Sequence, residues 1–300
     1  MSSKTGTGAP LTTILDHIVH ITPPGTVEKT AEQFRELGFH VSPGGTHVGG
    51  LTANTLVILP DGSYIELISF TQEPSYYPPE SPEHKARLAH NWANKDHGWC
   101  AYAFLGAPSA VPAISTIIND RAKASGLEVR YAKEVSGGRT RGDGVELKWV
   151  ITSPQEWAKK EGGTKLPFFC GDVTDRSLRV PTETTNTTHP NTAQSVAYLR
   201  LLSPVASFKT LSQELTAILG SPPTTTTPSE VTWQLHHPLK SFATSTSGPQ
   251  LILTAAKDED EAEQEFVRTH GPGLYEVAFR VADGKQRAIE TPYGRIAWVS

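Results

Sequence analysis

Apolar and polar positions along the chain fall into a repeating order: an apolar strand, an amphipathic helix, a glycine-marked turn, then more strands. The first copy runs ILDHIVHIT, TVEKTAEQFREL, Gly38 and the short strand FHV. In its helix Val27, Ala31, Phe34 and Leu37 share one face. Thr26 is placed to cap the start, and Gly38 suits the left-handed position after the end. The second copy runs GWCAYAFLG, SAVPAISTIINDRAKAS and Gly126, with Val111, Ile114, Ile117 and Ile118 as the apolar face and Pro112 in the first turn. The third runs SVAYLRLLS, PVASFKTLSQELTAIL and Gly220, with Val205, Phe208, Leu211, Leu215 and Ile218 facing inward.

Strands follow each helix. NTLVILP and GSYIELISF meet at Pro60-Asp61-Gly62, a hairpin signal. VELKWVI and LPFFCGD follow the second helix, and VTWQLHHP and PQLILTAA the third. The pattern predicts an α+β fold of repeated βαβββ modules, whose mixed sheets are cupped and pair to enclose a cavity. Residues 1–13 read as a disordered lead. Modules occupy 14–70 and 97–172 within a unit spanning 14–178. Residues 179–300 form a third module with a closing strand pair, LYEVAFRV and TPYGRIAWVS. The stretch 71–96 is expected to be a loop with a short helix around Lys85 to Asn91, 179–192 a polar crossover, and 221–230 a low-complexity loop. The acidic run 258–266 reads as a solvated helix face.

Composition narrows the class. A formal charge of −4 over 300 residues, with no Lys/Arg stripe, argues against nucleic acid. No apolar run reaches the roughly eighteen residues of a membrane span. The opening residues lack a signal-peptide core, so a reducing, cytoplasmic setting is expected. Cys100 and Cys170 alone supply neither a disulfide framework nor a cysteine-rich metal site. A small-molecule substrate or ligand is the partner that remains.

Candidate chemistry gathers in the first copy. Strand alternation puts His17, Val19 and Ile21 on one face of LDHIVHIT, and Tyr64, Glu66 and Ile68 on one face of GSYIELISF. A histidine and a carboxylate in apolar strands need partners: a shared divalent cation, or backbone and arginine contacts. SPGGTHVGGLTANT brings His47 and Asn54 into a glycine-rich segment, either a close backbone approach to a ligand or an ordinary hairpin turn. Arg139 and Arg141 are candidates to clamp an anion. Trp149, Phe168 and Phe169 suit either a pocket wall or a core. His189 stands at a cavity mouth or in solvent, and Cys170 is a nucleophile only beside a base that lowers its pKa. His236 and His237 are adjacent in a strand, so they point to opposite faces and do not ligate one ion.

LDHIVH, the helix ending ELGF, SPGGTHVGGLTAN and SYIELISF together resemble the glyoxalase-like domain of the vicinal oxygen chelate superfamily. GGRTRGDGVELKWVITSP, LPFFCGD and HPNTAQSVAYLRL match its segment order, so the resemblance covers roughly residues 14–205. It implies paired βαβββ modules around a cavity, extending over 14–178, with pairing inside the chain or in a homodimer. It also implies a divalent metal (Zn, Fe, Mn or Ni) that chelates vicinal oxygens, held here by His17 and Glu66. The second module, expected to supply further ligands, has Trp99 or Cys100 and Cys170 near those places, with His97 just outside. The implied function is metal-assisted isomerase, lyase or dioxygenase chemistry on a small oxygenated metabolite, with Glu66 and His47 catalytic. Asn54, Arg139, Trp149, Phe169 and His189 are the substrate-binding candidates. Two alternatives share the fold: a metal-free protein that binds and sequesters small molecules, and a metal-free isomerase or cyclase.

Overall fold

The computed structural model describes residues 9–155, 165–242, 247–291 and 294–300. The first copy builds β1 (Leu15–Thr22), α1 (Val27–Glu36), β2 (Ser42–His47), β3 (Thr52–Ile58) and β4 (Tyr64–Phe70). After α2 (Pro82–Ala89), the second builds β5 (Gly98–Leu105), α3 (Ile114–Ala124), β6 (Val135–Thr140), β7 (Glu146–Thr152) and β8 (Phe168–Asp172). Two short helices, α4 (Arg176–Arg179) and α5 (Thr184–Thr187), cross to the third copy. That copy is β9 (Ala193–Ser203), α6 (Val205–Leu219), β10 (Thr225–Thr226), β11 (Glu230–Gln234) and β12 (Gln250–Ala255). The chain continues through α7 (Glu261–His270), β13 (Gly273–Val281), β14 (Arg287–Thr291) and β15 (Gly294–Val299).

Modules one and two close on each other. Their strands form a barrel in the order β1-β4-β3-β2-β6-β7-β8-β5. Each module is a mirror of the other in that order, and antiparallel seams join them at β1/β5 and β2/β6. The remaining strands form an open sheet, β10-β11-β12-β9-β13-β15-β14. The closing pair of the sequence reading is therefore three strands, with β13 and β15 parallel and β14 outside them. Pro292 and Tyr293 of that pair, and residues 1–8 of the lead, lie outside the described residues.

Side-chain alternation sorts each barrel strand into two faces. Leu15, Ile18, Ile65 and Leu67 join α1, α3 and α6 in one core that continues onto the open sheet. Val19, Ile21, Ile68, Phe168 and Cys170 form a second cluster on the opposite face. Glycines with positive φ stop the three crossover helices at Gly38, Gly126 and Gly220. α3 begins only at Ile114, so Val111 is 96% exposed instead of on its buried face. Val205 likewise points outward.

Buried polar contacts tie barrel to sheet. His237 Nδ1 pairs with Asp61 Oδ2 at 2.8 Å, both fully enclosed. Thr12 and Thr13, expected in the disordered lead, are buried, and Thr12 donates to the Leu219 carbonyl at 2.7 Å. The acidic run does form a largely solvated helix, except that Glu263 is buried and paired with Arg200.

Candidate active site

The inner face of the barrel encloses a cavity of about 730 Å³. β1 and β4 run parallel in register, His17 beside Tyr64 and Val19 beside Glu66, so His17 and Glu66 both point inward. His17 stacks on the Tyr64 ring at 4.6 Å and meets Phe168 edge-on. Its Nδ1 lies 2.7 Å from Asp16 Oδ2, which leaves Nε2 directed into the cavity, 3.9 Å from Glu66 Oε2.

Asp16 is a fully buried carboxylate with two cations against it. Arg176 bonds Oδ1, Arg179 bonds Oδ2 at 3.0 Å, and both arginines also hold Asp172. Burial alone would raise the Asp16 pKa, but Arg176 and Arg179 outweigh it and hold the carboxyl well below its ordinary value. Arg179 also donates to the Tyr64 hydroxyl at 2.6 Å, so one cluster fixes both rings at the back of the site.

Glu66 is positioned from the other side. Asn54 Nδ2 donates to Glu66 Oε1 at 2.6 Å and lies 3.3 Å from His47 Nε2. His47 Nδ1 is 2.8 Å from the Thr52 hydroxyl, and its Nε2 is 3.5 Å from Glu66 Oε1. With Asn54 donating to Nε2, His47 carries its proton on Nδ1. Burial lowers the His47 pKa, and Arg139 adds to this while Glu66 opposes it, so the imidazole is neutral at physiological pH.

The glycines of SPGGTH have a steric reason. A Cβ on Gly44 would sit 2.2 Å from the Asn54 carbonyl and Oδ1, and one on Gly45 would sit 2.9 Å from the Thr140 carbonyl. The segment is the β2–β3 hairpin, with its backbone pressed against Asn54. Gly44→Ala is expected to displace Asn54 from Glu66 at a cost of about 1–3 kcal/mol, read as a lower midpoint in thermal denaturation.

Trp149, Phe168, Trp92 and Ile151 make an apolar wall beside these groups, Phe168 against His17 and Trp149 against His47. Three sequence candidates, Phe169, His189 and Arg141, fall elsewhere. Phe169 points out of the cavity, packed at 5.8 Å against both Phe104 and Tyr131 in the helix-side core, because Phe168 takes the inward parity. His189 is a buried clasp: its Nδ1 accepts from the His40 amide and its Nε2 lies 3.0 Å from the Ile58 carbonyl. Burial brings it to about 4, so it stays neutral and away from the cavity. Arg141 pairs with Asp143 at the surface. Cys170 faces the cavity, but burial pushes its thiol far up, so it is no nucleophile.

Sequence reasoning missed Asp16, Arg179, Tyr64 and Trp92 as parts of the site. A carboxylate inside an apolar strand needs a counter-charge, and DRSLR supplies two arginines one helical turn apart. That pairing is the signal that was there to read.

Imidazole and carboxylate together suit a divalent first-row metal. The His17–Glu66 separation of 3.9 Å is too long for a hydrogen bond but within twice a metal–ligand distance of about 2.0–2.2 Å. Asp16 behind Nδ1 is the outer partner that metal-binding histidines carry. Two coordination positions are therefore provided. Among the described residues the second module adds none: Ala103 stands across the β1/β5 seam from His17, and Phe168 and Cys170 face inward from β8. Trp99, one of the places the family pattern suggested, is on the helix side with its indole donating to the Arg295 carbonyl. Among the described residues no three His, Cys, Asp or Glu side chains converge as a metal-holding group. No helix of the described residues is long and apolar enough to cross a membrane.

A family model described as a glyoxalase-like domain matches residues 15–219. No curated protein matches the chain. A hypothetical protein from Staphylococcus aureus shares the fold over 95% of this chain and 98% of its own, at TM-score 0.64 and 12% identity. The 2,2',3-trihydroxybiphenyl 1,2-dioxygenase of Sphingomonas wittichii aligns over 96% of this chain and 90% of its own, at TM-score 0.46 and 11% identity. The Mn(II)-bound glyoxalase of Novosphingobium aromaticivorans aligns over 97% and 83%, at TM-score 0.46 and 9% identity. Such identities speak to fold and leave chemistry to the site itself. With its paired βαβββ modules and a family match over well more than half its length, the chain belongs to the glyoxalase-like domain family.

Proposed function

We propose that the chain is a small-molecule enzyme of isomerase, lyase or dioxygenase type, acting on an oxygenated metabolite inside the barrel. The observation that carries this is Glu66: a carboxylate in an apolar cavity, fixed through Asn54 and flanked by two histidines whose other nitrogens are tied down. Binding alone would not call for so exact a placement of proton-handling groups.

His17 and Glu66 would hold the divalent ion, which supplies Lewis-acid polarisation of a substrate oxygen. The remaining steps belong to the chain. Neutral His47, its Nε2 beside Glu66, accepts a proton from a carbon or hydroxyl next to that oxygen. Asn54 keeps Glu66 Oε1 engaged, so Oε2 is the oxygen that faces His17. Asp16 holds His17 through Nδ1 and so turns Nε2 toward the cavity and Glu66. Trp149, Phe168 and Trp92 exclude water from the reacting end.

Elemental analysis of purified protein beside Glu66→Ala tests the reading. Stoichiometric metal in the wild type, lost from Glu66→Ala, supports it and justifies screening oxo acids and diols. Equal metal content in the two proteins removes Glu66 from the site. The second reading, a metal-free binding protein, is favoured by Ala103 and Cys170 standing where the second module would supply ligands. It expects no bound metal in either protein, and a ligand that co-purifies.

A further inference from the structure

Arg139 lines the cavity, is 5% exposed, and donates from Nη1 to the Gly44 carbonyl at 2.8 Å. Of the guanidinium and ammonium groups on the cavity wall, Arg179 is committed to Asp16 and Asp172, and Lys148 to Glu146. Among the described residues Arg139 has no carboxylate within ion-pair distance. Glu66 attracts Arg139 from beyond contact distance, and a buried cation with no direct ion pair is costly, so an anionic ligand group would complete its pairing.

Its placement is built. β2 and β6 pair with His47 opposite Arg139, so the guanidinium lies at the same seam as the proposed proton acceptor. Gly45 lets it pass, since a Cβ there would stand 3.2 Å from Nη1. One anchored nitrogen leaves the rest of the planar fork to match two oxygens. Two residues along β6 from Arg139, Gly137 makes room for the Trp149 indole of neighbouring β7, which stands edge-on to His47.

We infer that the substrate carries a carboxylate held by Arg139, with an apolar, ring-sized body along Trp149, Phe168 and Trp92. This rests on the cavity being the active site proposed above, and it narrows the oxygenated metabolite to an acid. A single unpaired guanidinium matches a monoanion and offers too little charge for a phosphate dianion. The Arg139 charge also offsets the anion brought near Glu66.

The test uses a near-isosteric pair, phenylacetate and phenylacetamide, titrated into EDTA-stripped full-length protein with tryptophan fluorescence as the signal. Stripping ensures that a bound metal does not select the acid. The wild type is expected to prefer phenylacetate at least about ten-fold, as a charge-assisted bond requires. Arg139→Gln is expected to bind acid and amide alike, Arg139→Lys to keep part of the preference, and Arg141→Gln to match the wild type. Thermal melts confirm that each variant is folded, and the acid–amide comparison in the wild type stands even if Arg139→Gln is not. Equal affinity for acid and amide in the wild type, absence of saturable phenylacetate binding, or an undiminished preference in folded Arg139→Gln overturns the inference. Failure of the proposed function reads differently: metal and turnover would persist without Glu66, and the acid preference would be untouched.

Discussion

Glu66→Gln is expected to lower turnover by about 10²–10⁴-fold, the range for loss of a positioned acid–base group, with the fold intact. Glutamine keeps the shape of the side chain and an oxygen that accepts from Asn54 Nδ2, so the 2.6 Å contact that anchors position 66 survives. What disappears is the negative charge between His17 and His47. That charge serves both the metal-holding pair and the proton acceptor, so the two roles fail together. Steady-state kinetics on any oxo acid or diol found by screening, beside a thermal melt, separates loss of chemistry from loss of fold. A Glu66→Gln protein that turns over within about three-fold of the wild type would assign the chemistry to other groups. His47→Gln sharpens the division of labour: it removes the proton acceptor and leaves His17 and Glu66 to hold metal, so metal content is expected to stay while turnover falls.

The parts of this site that could be read in the sequence share a physical property: they are set by strand parity. His17 and Glu66 interrupt apolar strands, and alternation alone puts each with a known set of neighbours, Val19 and Ile21 or Tyr64 and Ile68. The register that brings β1 beside β4 confirms those faces. Parity failed where no polar residue marked it. Phe168 and Phe169 are chemically alike, so LPFFCGD does not say which ring is inward, and the barrel chose Phe168.

Long-range pairing was the other gap. Asp16 and its arginines are separated by about 160 positions in sequence, and only closure of the barrel brings α4 beneath β1. His189 deceived for the related reason that its partners, His40 and Ile58, come from the first module. The glycines of 42–55 announced a close approach, yet only the fold shows that Asn54 and Arg139 are what they approach. Nor did the repeats reveal that the first two modules close into a barrel while the third continues into an open sheet, because that depends on the β2/β6 seam.

Asp16→Ala is expected to cost about 3–5 kcal/mol, the penalty for stripping one partner from a buried ion cluster. At roughly 2–4 °C per kcal/mol for a chain of this size class, the melting midpoint falls by about 10 °C. Two guanidinium groups, Arg176 and Arg179, would be left with Asp172 alone, and Tyr64 and His17 would lose the group that holds them. The pH dependence gives the effect a signature. Arg176 and Arg179 overcome the burial cost and depress the Asp16 pKa, so its folded-state value lies below the unfolded one of about 3.9. Its contribution is therefore fully present above the unfolded pKa and is lost as pH falls through the folded one. Urea denaturation should find a constant gap between wild type and Asp16→Ala from pH 7 to pH 5, narrowing below about pH 4 as Asp16 of the unfolded chain takes up a proton that the folded one still refuses. A gap unchanged down to pH 3 would mean that the aspartate is held by packing and not by the charges of its two arginines. The same variant loosens His17 behind its Nδ1, so any metal still bound is expected to be held more weakly, by about ten- to a hundred-fold as for other outer-shell partners of metal-binding histidines.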